Sequence, residues 1–302
     1  MRKLAFGYST RCNVRCEHCV AADGIIENAK MELAQAKDIL GQLSAANITG
    51  ISFTAGEPLI YLNDIAELIV LCKEYGIYSR VVTNSFWAKT PDLADNITLT
   101  LKENGLSQMR LSYSRWHQKN ISKQNVLNAA QSCVKNGLAY FVSFVTDFSE
   151  EDVVFEQYLR EHQLIFFPEP VIFAGRAQSF KRLPIRTDYQ ENRCAMNPYL
   201  APNLDMYACC DAGSHFNRTN FFHLGNLQES SMDELFVKSE TNNLYNHIRN
   251  MGISAIASYA GYSARDIIQY RKCELCEKLF NNPERLAMLQ GEADAMMNFW
   301  YR

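Results

Sequence analysis

The stretch that organises this chain lies near its N-terminus and reads Cys12-Asn13-Val14-Arg15-Cys16-Glu17-His18-Cys19. Its cysteines follow the spacing C-x3-C-x2-C, which suits three irons of a [4Fe-4S] cube because such cubes are held by cysteine thiolates. The fourth iron then has no protein ligand and is open to a small molecule. The alternative is a structural zinc site, but such a site needs four closed ligands. His18 supplies the fourth only by straining a short loop.

The composition indicates a globular protein and argues against several classes of partner. The chain has 302 residues, a hydrophobic fraction of 47% and a net charge of −3, so it is long enough for one large domain or two. This charge gives no basic surface for nucleic acid, and no run approaches the roughly 20 apolar residues of a membrane span. The N-terminus leads into a strand without the apolar segment of a signal peptide. We therefore expect a cytoplasmic protein whose cysteines bind metal and do not form disulfides.

Apolar runs with strand character alternate with amphipathic helical segments over the first part of the chain. The six predicted strands cover residues 4–8, 48–54, 77–82, 107–113, 139–146 and 164–173, the last with two prolines. The five predicted helices between them cover residues 32–46, 63–76, 90–104, 122–137 and 149–162. This alternation predicts an α/β fold with a parallel sheet, most simply a curved, partial (β/α)6 barrel.

The alternation stops after about residue 174, where a shorter and less regular region begins. We place a domain boundary near residue 180, which divides the chain into a barrel domain over 1–180 and a cysteine-containing domain over 181–302. Residues 284–302 are rich in Ala, Met and Leu and predict a closing helix.

Polar or metal-binding groups follow every predicted strand. They are the cysteine loop and residues 54–57, 83–85, 112–117, 146–147 and 175–176. Because ligands of parallel βα folds collect at the carboxyl ends of the strands, we expect these groups to surround one site. Trp116, His117 and Asp147 are candidate substrate contacts there. For His117 the alternative is a role in fixing its own loop.

One strand after the cysteine loop, Ala55-Gly56-Glu57-Pro58 resembles the GGEP segment of the radical S-adenosylmethionine (SAM) enzymes, which share the C-x3-C-x2-C spacing. The resemblance implies that Cys12, Cys16 and Cys19 hold a [4Fe-4S] cluster that binds SAM. It also implies that Gly56 and Glu57 grip the methionyl amino group of SAM, with Ala55 in place of the first glycine. The further SAM contacts that it implies are His18, Asn84, Ser85, Ser112, Ser114 and Arg176. A turn cap is the alternative for each hydroxyl, and a surface salt bridge is the alternative for Arg176.

A second group of cysteines occupies the C-terminal region: Cys194, Cys209, Cys210, Cys273 and Cys276. Their order resembles the shortened SPASM (Twitch) extension of radical SAM enzymes, which implies an auxiliary [4Fe-4S] cluster. A structural zinc site is the alternative. Neighbours on an extended strand point to opposite faces. One of the doublet therefore binds the cluster, and the other is free to face elsewhere. In line with the resemblance, we assign Cys209, with Cys194, Cys273 and Cys276, to the cluster and Cys210 to the substrate cavity, where a passive buried thiol is the alternative for Cys210.

The order of motifs along the whole chain resembles the radical SAM peptide epimerases, which convert L-residues of ribosomal peptides into D-residues. The resemblance is carried by ISFTAGE at 51–57, TNSFW at 83–87, LSYSRWH at 111–117, YACC at 207–210 and C-x2-C-x3-FN at 273–281. It implies that a 5′-deoxyadenosyl radical takes a Cα hydrogen from the peptide and that Cys210 returns hydrogen to the opposite face. The implied partners are a precursor peptide and a flavodoxin- or ferredoxin-type reductant.

One departure bears on the reaction. Ser114 stands where the pattern S-Y-D-x-x-H has a carboxylate, which is compatible with another substrate or another reaction. The alternatives are epimerisation or dehydrogenation of a sugar or aminocyclitol, crosslinking of peptide side chains, and a non-catalytic electron carrier.

Overall fold

A computed structural model describes residues 2–20, 29–173, 175–180, 194–211, 219–293 and 295. The first six strands are β1 (Arg2–Ser9), β2 (Ile48–Ala55), β3 (Tyr78–Thr83), β4 (Gln108–Tyr113), β5 (Ala139–Thr146) and β6 (Phe166–Pro170). The helices between them are α1 (Leu33–Ala45), α2 (Leu62–Glu74), α3 (Pro91–Glu103), α4 (Lys123–Lys135) and α5 (Glu150–Glu161). The six strands pair in parallel in sequence order. The predicted α/β fold with a parallel sheet is confirmed.

The C-terminal region continues this sheet. Strand β7 (Tyr199–Leu200) pairs in parallel with β1, and β8 (Asp205–Tyr207) and β9 (His223–Asn226) follow in antiparallel order. The order is β6-β5-β4-β3-β2-β1-β7-β8-β9 in the part of the chain that the structure describes. The predicted boundary near residue 180 adjoins residues 181–193, which lie outside the described residues, and the sheet extends to both sides of it.

Short helices complete the C-terminal region. They are α6 (Met232–Thr241), α7 (Asn243–Met251), α8 (Ile253–Tyr259), α9 (Ala264–Ile267), α10 (Lys272–Phe280) and α11 (Pro283–Gly291). Helix α11 begins where the closing helix was predicted, and most of that prediction beyond residue 293 lies outside the described residues. None of the described helices combines the length and the apolar character that crossing a membrane requires.

The two prolines of β6 do not interrupt the strand. The Val142 N–H donates to the Ile165 carbonyl at 2.8 Å, and the Val171 N–H donates to the Thr146 carbonyl at 2.8 Å. Because backbone groups alternate in direction along a strand, Pro168 and Pro170 occupy positions whose nitrogens face away from β5. Each proline therefore costs no ladder hydrogen bond, and this open edge of the sheet offers few N–H donors to another strand.

Strand β4 shows which residues face the inside of the barrel. Met109, Leu111 and Tyr113 are fully buried beneath the helices, whereas Arg110 and Ser112 are half-buried on the other face. The Arg110 guanidinium donates to Ser143 Oγ of β5 at 2.9 Å. The outer face of the sheet is therefore the apolar core, and the inner face is polar.

Candidate functional site

The cysteine loop lies at the carboxyl end of β1, where the strand-end groups were predicted to meet. Cys12, Cys16 and Cys19 line one cavity of about 540 Å³, hereafter the cysteine cavity, together with residues from the ends of β2, β3 and β4. Cys16 is buried, and burial raises the pKa of its thiol to about 12. A desolvated thiolate needs a bound cation to be stable, so three thiols on one cavity fit an iron–sulfur cluster.

The loop after β2 is joined to the cysteine loop through backbone hydrogen bonds. The Gly56 N–H donates to the Ser9 carbonyl at 2.9 Å, and the Glu57 N–H donates to the Arg11 carbonyl at 2.8 Å. A Cβ at Gly56 would lie 2.0 Å from the Arg11 oxygen, so only glycine allows this approach. Ala55 precedes it with a φ of 85°, in the left-handed region that glycine adopts more easily. Both loops form one wall of the cysteine cavity.

Glu57 connects the ends of β2 and β3. Its carboxylate accepts hydrogen bonds from Leu59 N–H at 3.1 Å, Thr83 Oγ1 at 2.8 Å and Asn84 N–H at 2.7 Å. Burial raises its pKa to about 7, although these donors act in the opposite direction. Glu57 also lines the cysteine cavity. Its hydrogen bonds hold the cavity wall together, in addition to the ligand contact predicted for it.

The predicted contacts on β3 and β4 are divided, and Asn84 and Ser112 are the ones brought to the cysteine cavity. Asn84 and Ser112 line it, and the Asn84 amide donates to Asn13 Oδ1 at 2.9 Å. Asn13 lies between the first two cysteines and was not singled out from the sequence. Its place inside the C-x3-C spacing is the signal that could have identified it.

Ser85 and Ser114 are not brought to that cavity wall. Both are fully buried, and Ser85 has a φ of 66°. Ser114 Oγ lies 2.8 Å from His117 Nδ1 and accepts the His117 backbone N–H at 3.1 Å. The hydroxyl of Ser114 therefore holds His117, and the alternative role of a turn group describes its geometry.

His18, Trp116 and His117 form an aromatic group beside the cysteines. The His18 ring stacks on Trp116 with centroids 5.1 Å apart and meets His117 edge-on at 4.4 Å. Burial, together with the positive charges of Arg176 and Arg115, lowers the pKa of His18 to about 4. A ring nitrogen of each histidine and Cys16 Sγ lie within 4.8 Å of one another. The two neutral histidines line the cysteine cavity, whereas Trp116 packs behind them and against Phe180.

Asp147 is engaged by an arginine. Arg115 donates to its two carboxylate oxygens at 2.9 and 2.6 Å and to Asp152 at 2.7 Å. The same guanidinium lies over the Trp116 ring at 4.2 Å. Arg115 holds the pKa of Asp147 well below its usual range, against the opposing effect of burial. Asp147, which was predicted to contact the substrate, thus forms an internal ion pair with Arg115, and this pair positions the loop after β4.

Arg176 supports the cysteine loop from the end of the barrel. Its Nε donates to the Cys16 carbonyl at 2.9 Å, its backbone N–H donates to the Cys19 carbonyl at 3.2 Å, and it lines the cysteine cavity. A Cβ at Gly175 would lie 2.6 Å from the Cys19 oxygen. This segment therefore packs against the loop at van der Waals distance.

The thiols of the Cys209-Cys210 doublet lie in different surroundings. Cys209 packs against the main core, as do Cys194, Cys273 and Cys276. Electrostatic interactions do not separate the doublet, because Cys209 acts on Cys273 and Cys276 and also, with Cys194, on Cys210. Cys210 packs instead against a separate apolar group formed by Ala5, Tyr199, Ala201 and Tyr207.

Cys210 lines a second cavity of about 480 Å³, hereafter the Cys210 cavity. Its wall includes Arg110 of β4, Glu169 of β6 and Arg271 at the start of α10. Sequence reasoning missed all three residues. The signal for Arg110 was available, because it lies two residues before Ser112 on the same face of a strand.

The two cavities share one face of β4. Arg110 lines the Cys210 cavity and Ser112 the cysteine cavity, on one face of β4. Tyr207 pairs with Tyr199, which pairs with Ala5 in the middle of β1. The chain bends at Ala208 and Cys210 after β8. The Cys210 cavity also includes Phe148 and Val171, which follow the carboxyl ends of β5 and β6.

Three comparisons describe what this chain is similar to. Residues 7–154 match the model of the Radical SAM superfamily. The chain is 20% identical over 128 residues to "Putative peptide biosynthesis protein YydG" of Bacillus subtilis (strain 168), covering 42% of this chain and 40% of that protein. It is 25% identical over 144 residues to the GTP 3',8-cyclase of Clostridium botulinum (strain Okra / Type B1), covering 45% and 43%. It is 26% identical over 122 residues to the PqqA peptide cyclase of Methylobacterium sp. (strain 4-46), covering 40% and 31%. The chain thus spans less than half the length of these relatives.

Solved structures share the fold over most of the chain. The structure of anSMEcpe with bound AdoMet has a TM-score of 0.64 at 15% identity and covers 98% of this chain and 96% of that one. The structure of BtrN in complex with AdoMet and 2-DOIA has a TM-score of 0.54 at 16% identity, covering 89% and 92%. At these identities the likeness concerns the fold.

Proposed function

Residues 7–154 of this chain are a radical SAM domain, as predicted, and we propose that the chain is an epimerase that inverts a residue of a ribosomally made peptide. The observation that carries the proposal is the position of Cys210. Its thiol lines a cavity separate from the cysteine cavity, and one face of β4 contributes Arg110 to the first and Ser112 to the second. Inversion at carbon requires hydrogen to leave one face and to arrive at the other, and a substrate between the two cavities would have the cysteine loop on one side and the Cys210 thiol on the other.

The cofactors of a radical SAM domain are a [4Fe-4S] cluster and SAM, and the residues of the cysteine cavity fit them. Cys12, Cys16 and Cys19 would hold the cluster, and the wall of Gly56, Glu57 and Asn84 would face SAM. When bound, these cofactors supply a 5′-deoxyadenosyl radical that abstracts hydrogen. The protein contributes the backbone contacts between its loops, which fix the distance between cluster ligands and SAM contacts.

Cys210 would complete the inversion. A carbon-centred radical on the peptide takes the thiol hydrogen of Cys210, so the S–H bond breaks as the new C–H bond forms. One electron and one proton then return the sulfur to the thiol, with the electron supplied by a flavodoxin- or ferredoxin-type reductant. The thiol packs against an apolar group that includes Tyr199 and Tyr207 and is only partly buried, so its proton can exchange with solvent between turnovers.

The auxiliary cysteines support the same proposal. Cys194, Cys209, Cys273 and Cys276 all pack against the main core and would hold an auxiliary [4Fe-4S] cluster of the shortened SPASM type. Iron analysis tests this assignment: the reconstituted protein should hold about eight irons, in two cubes of four. A Cys273→Ala variant should hold about four. A zinc content of one per chain with four irons would instead indicate a structural zinc site.

The names of the relatives favour a peptide substrate. The Bacillus subtilis protein is named for peptide biosynthesis and the Methylobacterium protein for cyclisation of a peptide. The clostridial relative is named for GTP, so these names support the proposal only together with the position of Cys210.

Turnover in D2O with candidate peptides encoded next to the gene tests the function. We expect a product one mass unit heavier, a D-residue on chiral analysis, and one SAM consumed for each inversion, because the thiol exchanges its proton with solvent. Cys210→Ala should still form 5′-deoxyadenosine but no D-residue. Cys133→Ala, in the core between α4 and the sheet, is the control and should epimerise. Normal epimerisation by Cys210→Ala would refute the proposal.

A further inference from the structure

We propose that Arg271 binds a carboxylate of the substrate inside the Cys210 cavity. The inference rests on the proposed function in taking this cavity as the place of the substrate. It adds the chemical character of the substrate: a segment with apolar groups and one carboxylate, carried by an acidic side chain or by a C-terminus.

The Arg271 guanidinium is oriented by the protein but not saturated by it. Nη1 donates to the Val171 carbonyl, Nη2 donates to the Asp147 carbonyl at a long 3.5 Å, and the group lies 4.7 Å above the Phe173 ring. A guanidinium has five N–H donors. Two backbone carbonyls and an aromatic face therefore fix its plane and leave donors for a further acceptor.

The charge of Arg271 has no partner among the described residues, unlike its neighbours. Arg110 pairs with Glu169 in the same cavity wall, and Arg115 pairs with Asp147. No ion pair of Arg271 is formed within the part of the chain that the structure describes, where its guanidinium donates to two backbone carbonyls. Arg271 is half-buried, so part of the cost of removing a charge from water applies to it, and a carboxylate ligand would offset that cost through two parallel hydrogen bonds.

The nearby carboxylates are engaged elsewhere. Asp147 accepts from Arg115 through both oxygens. Glu274 accepts the backbone N–H of Arg271 at 2.9 Å, as an N-terminal group of α10. Their charges act on Arg271 from a distance, and the hydrogen bond from Arg271 to Glu274 uses its backbone N–H, which leaves the guanidinium to other acceptors.

The auxiliary cysteines do not account for Arg271 either. The cation that acts on Cys273 and Cys276 is Lys272, whereas the groups that act on Arg271 are Glu274 and Asp147. These adjacent residues at the start of α10 therefore have different neighbours. Lys272 interacts with the auxiliary cysteines, and Arg271 interacts with the loops at the ends of the barrel strands.

The rest of the cavity wall is consistent with a short peptide segment. Its volume of about 480 Å³ lies in the range of ligand pockets, roughly 300–1,000 Å³. Apolar side chains form much of the wall: Phe148, Phe167, Val171, Ile172, Ile267 and Tyr270. Phe148 is held at a φ of 64°, a conformation that such residues adopt mainly where the surroundings impose it.

Binding of three tripeptides to the reconstituted enzyme tests the proposal. The probes are acetyl-Val-Glu-Val-amide, acetyl-Val-Gln-Val-amide and acetyl-Val-Gln-Val with a free C-terminus. By calorimetry, the wild type should bind one or both carboxylate probes about tenfold more tightly than the neutral amide, as expected for a charge-assisted hydrogen bond. The preferred probe distinguishes a side-chain from a C-terminal carboxylate. Arg271→Gln should bind all three equally, and Arg271→Lys should keep part of the preference.

Lys278→Gln is the matched control, since Lys278 is an exposed cation on the same helix whose Nζ lies over Tyr270 at 4.7 Å. It should bind like the wild type. The midpoint potential of the auxiliary cluster should be the same in Arg271→Gln and wild type. Absence of a carboxylate preference in the wild type, its persistence in Arg271→Gln, or a shifted potential with the preference intact would overturn the proposal. A carboxylate preference without deuterium incorporation in turnover would refute the epimerase and leave Arg271 as a carboxylate-binding residue.

Discussion

The contact between the loop after β2 and the cysteine loop should not tolerate the substitution Gly56→Ala. The added methyl would lie 2.0 Å from the Arg11 oxygen and 2.5 Å from the Arg11 carbonyl carbon. Both atoms belong to the backbone, so no side-chain rotation can relieve the clash. The loops must separate, and the hydrogen bonds from Gly56 to Ser9 and from Glu57 to Arg11 are lost with that movement.

The size of the effect follows from these contacts. Each lost hydrogen bond costs about 1 kcal/mol, and forced overpacking costs roughly 1–3 kcal/mol. Together they destabilise the joined loops by roughly 3–5 kcal/mol. Because about 1.4 kcal/mol corresponds to a factor of ten in affinity, SAM should bind at least about 100-fold more weakly.

Equilibrium dialysis with SAM and iron analysis of the anaerobically reconstituted protein measure this effect. Gly41→Ala is the matched control, because a Cβ there meets only the Tyr75 hydroxyl at 3.8 Å. Since Gly41 lies within α1, alanine should stabilise the protein by roughly 0.5–1 kcal/mol and leave SAM binding unchanged. Wild-type iron content and SAM affinity in Gly56→Ala would refute the argument.

Three further predictions concern strain, protonation and a buried ion pair. Ala55→Gly should raise the melting temperature, against the usual effect of glycine, because a φ of 85° costs alanine about 1 kcal/mol; an unchanged or lower value would contradict this. The pKa of Glu57 is raised to about 7 by burial, so the unfolded chain loses this proton first as pH rises. The ionisation of Glu57 should therefore lower the free energy of unfolding by roughly 3 kcal/mol as the pH rises from about 4.5 to 7. The free energy of unfolding of Glu57→Gln, measured in urea, should lack that decline. Arg115→Met leaves Asp147 and Asp152 buried without a cation and should cost roughly 3–5 kcal/mol in urea unfolding; a loss below about 1 kcal/mol would mean that water reaches both carboxylates.

Local patterns predicted the elements of the barrel, whereas short non-local strands escaped prediction. Helix α1 was recognisable because Ala36, Leu40 and Leu43 repeat at helical spacing, and all three are buried. Strand β7 has two residues, too few to show any period. It exists because β1 offers an unpaired edge, and that partner lies almost two hundred residues earlier.

The candidate site divides along the same line. The cysteine loop is one continuous segment, so its spacing alone predicted its chemistry. Ser85 was predicted to contact SAM, but its backbone has a positive φ, which sets where its side chain points and which a serine in the sequence does not indicate. The hydrogen bonds of Glu57 come from Thr83 and Asn84 on the next strand, and Arg271 reaches the Cys210 cavity only because α10 packs against the end of β6.

The position of β1 between β2 and β7 has a consequence for synthesis on the ribosome. Residues 2–9 emerge before the other strands of the sheet. Strand β2 can cover one edge of β1 once residue 55 has emerged, but the other edge waits for Tyr199 and Leu200. At roughly 5–20 residues per second, this interval lasts roughly 10–40 s. During it the nascent chain exposes a strand whose residues from Leu4 to Ser9 are all destined to be buried. Pro168 and Pro170 protect the permanent edge of the sheet, whereas the temporary edge at β1 carries no such protection. Nascent chains stalled before residue 199 should therefore be the ones that bind chaperones or aggregate.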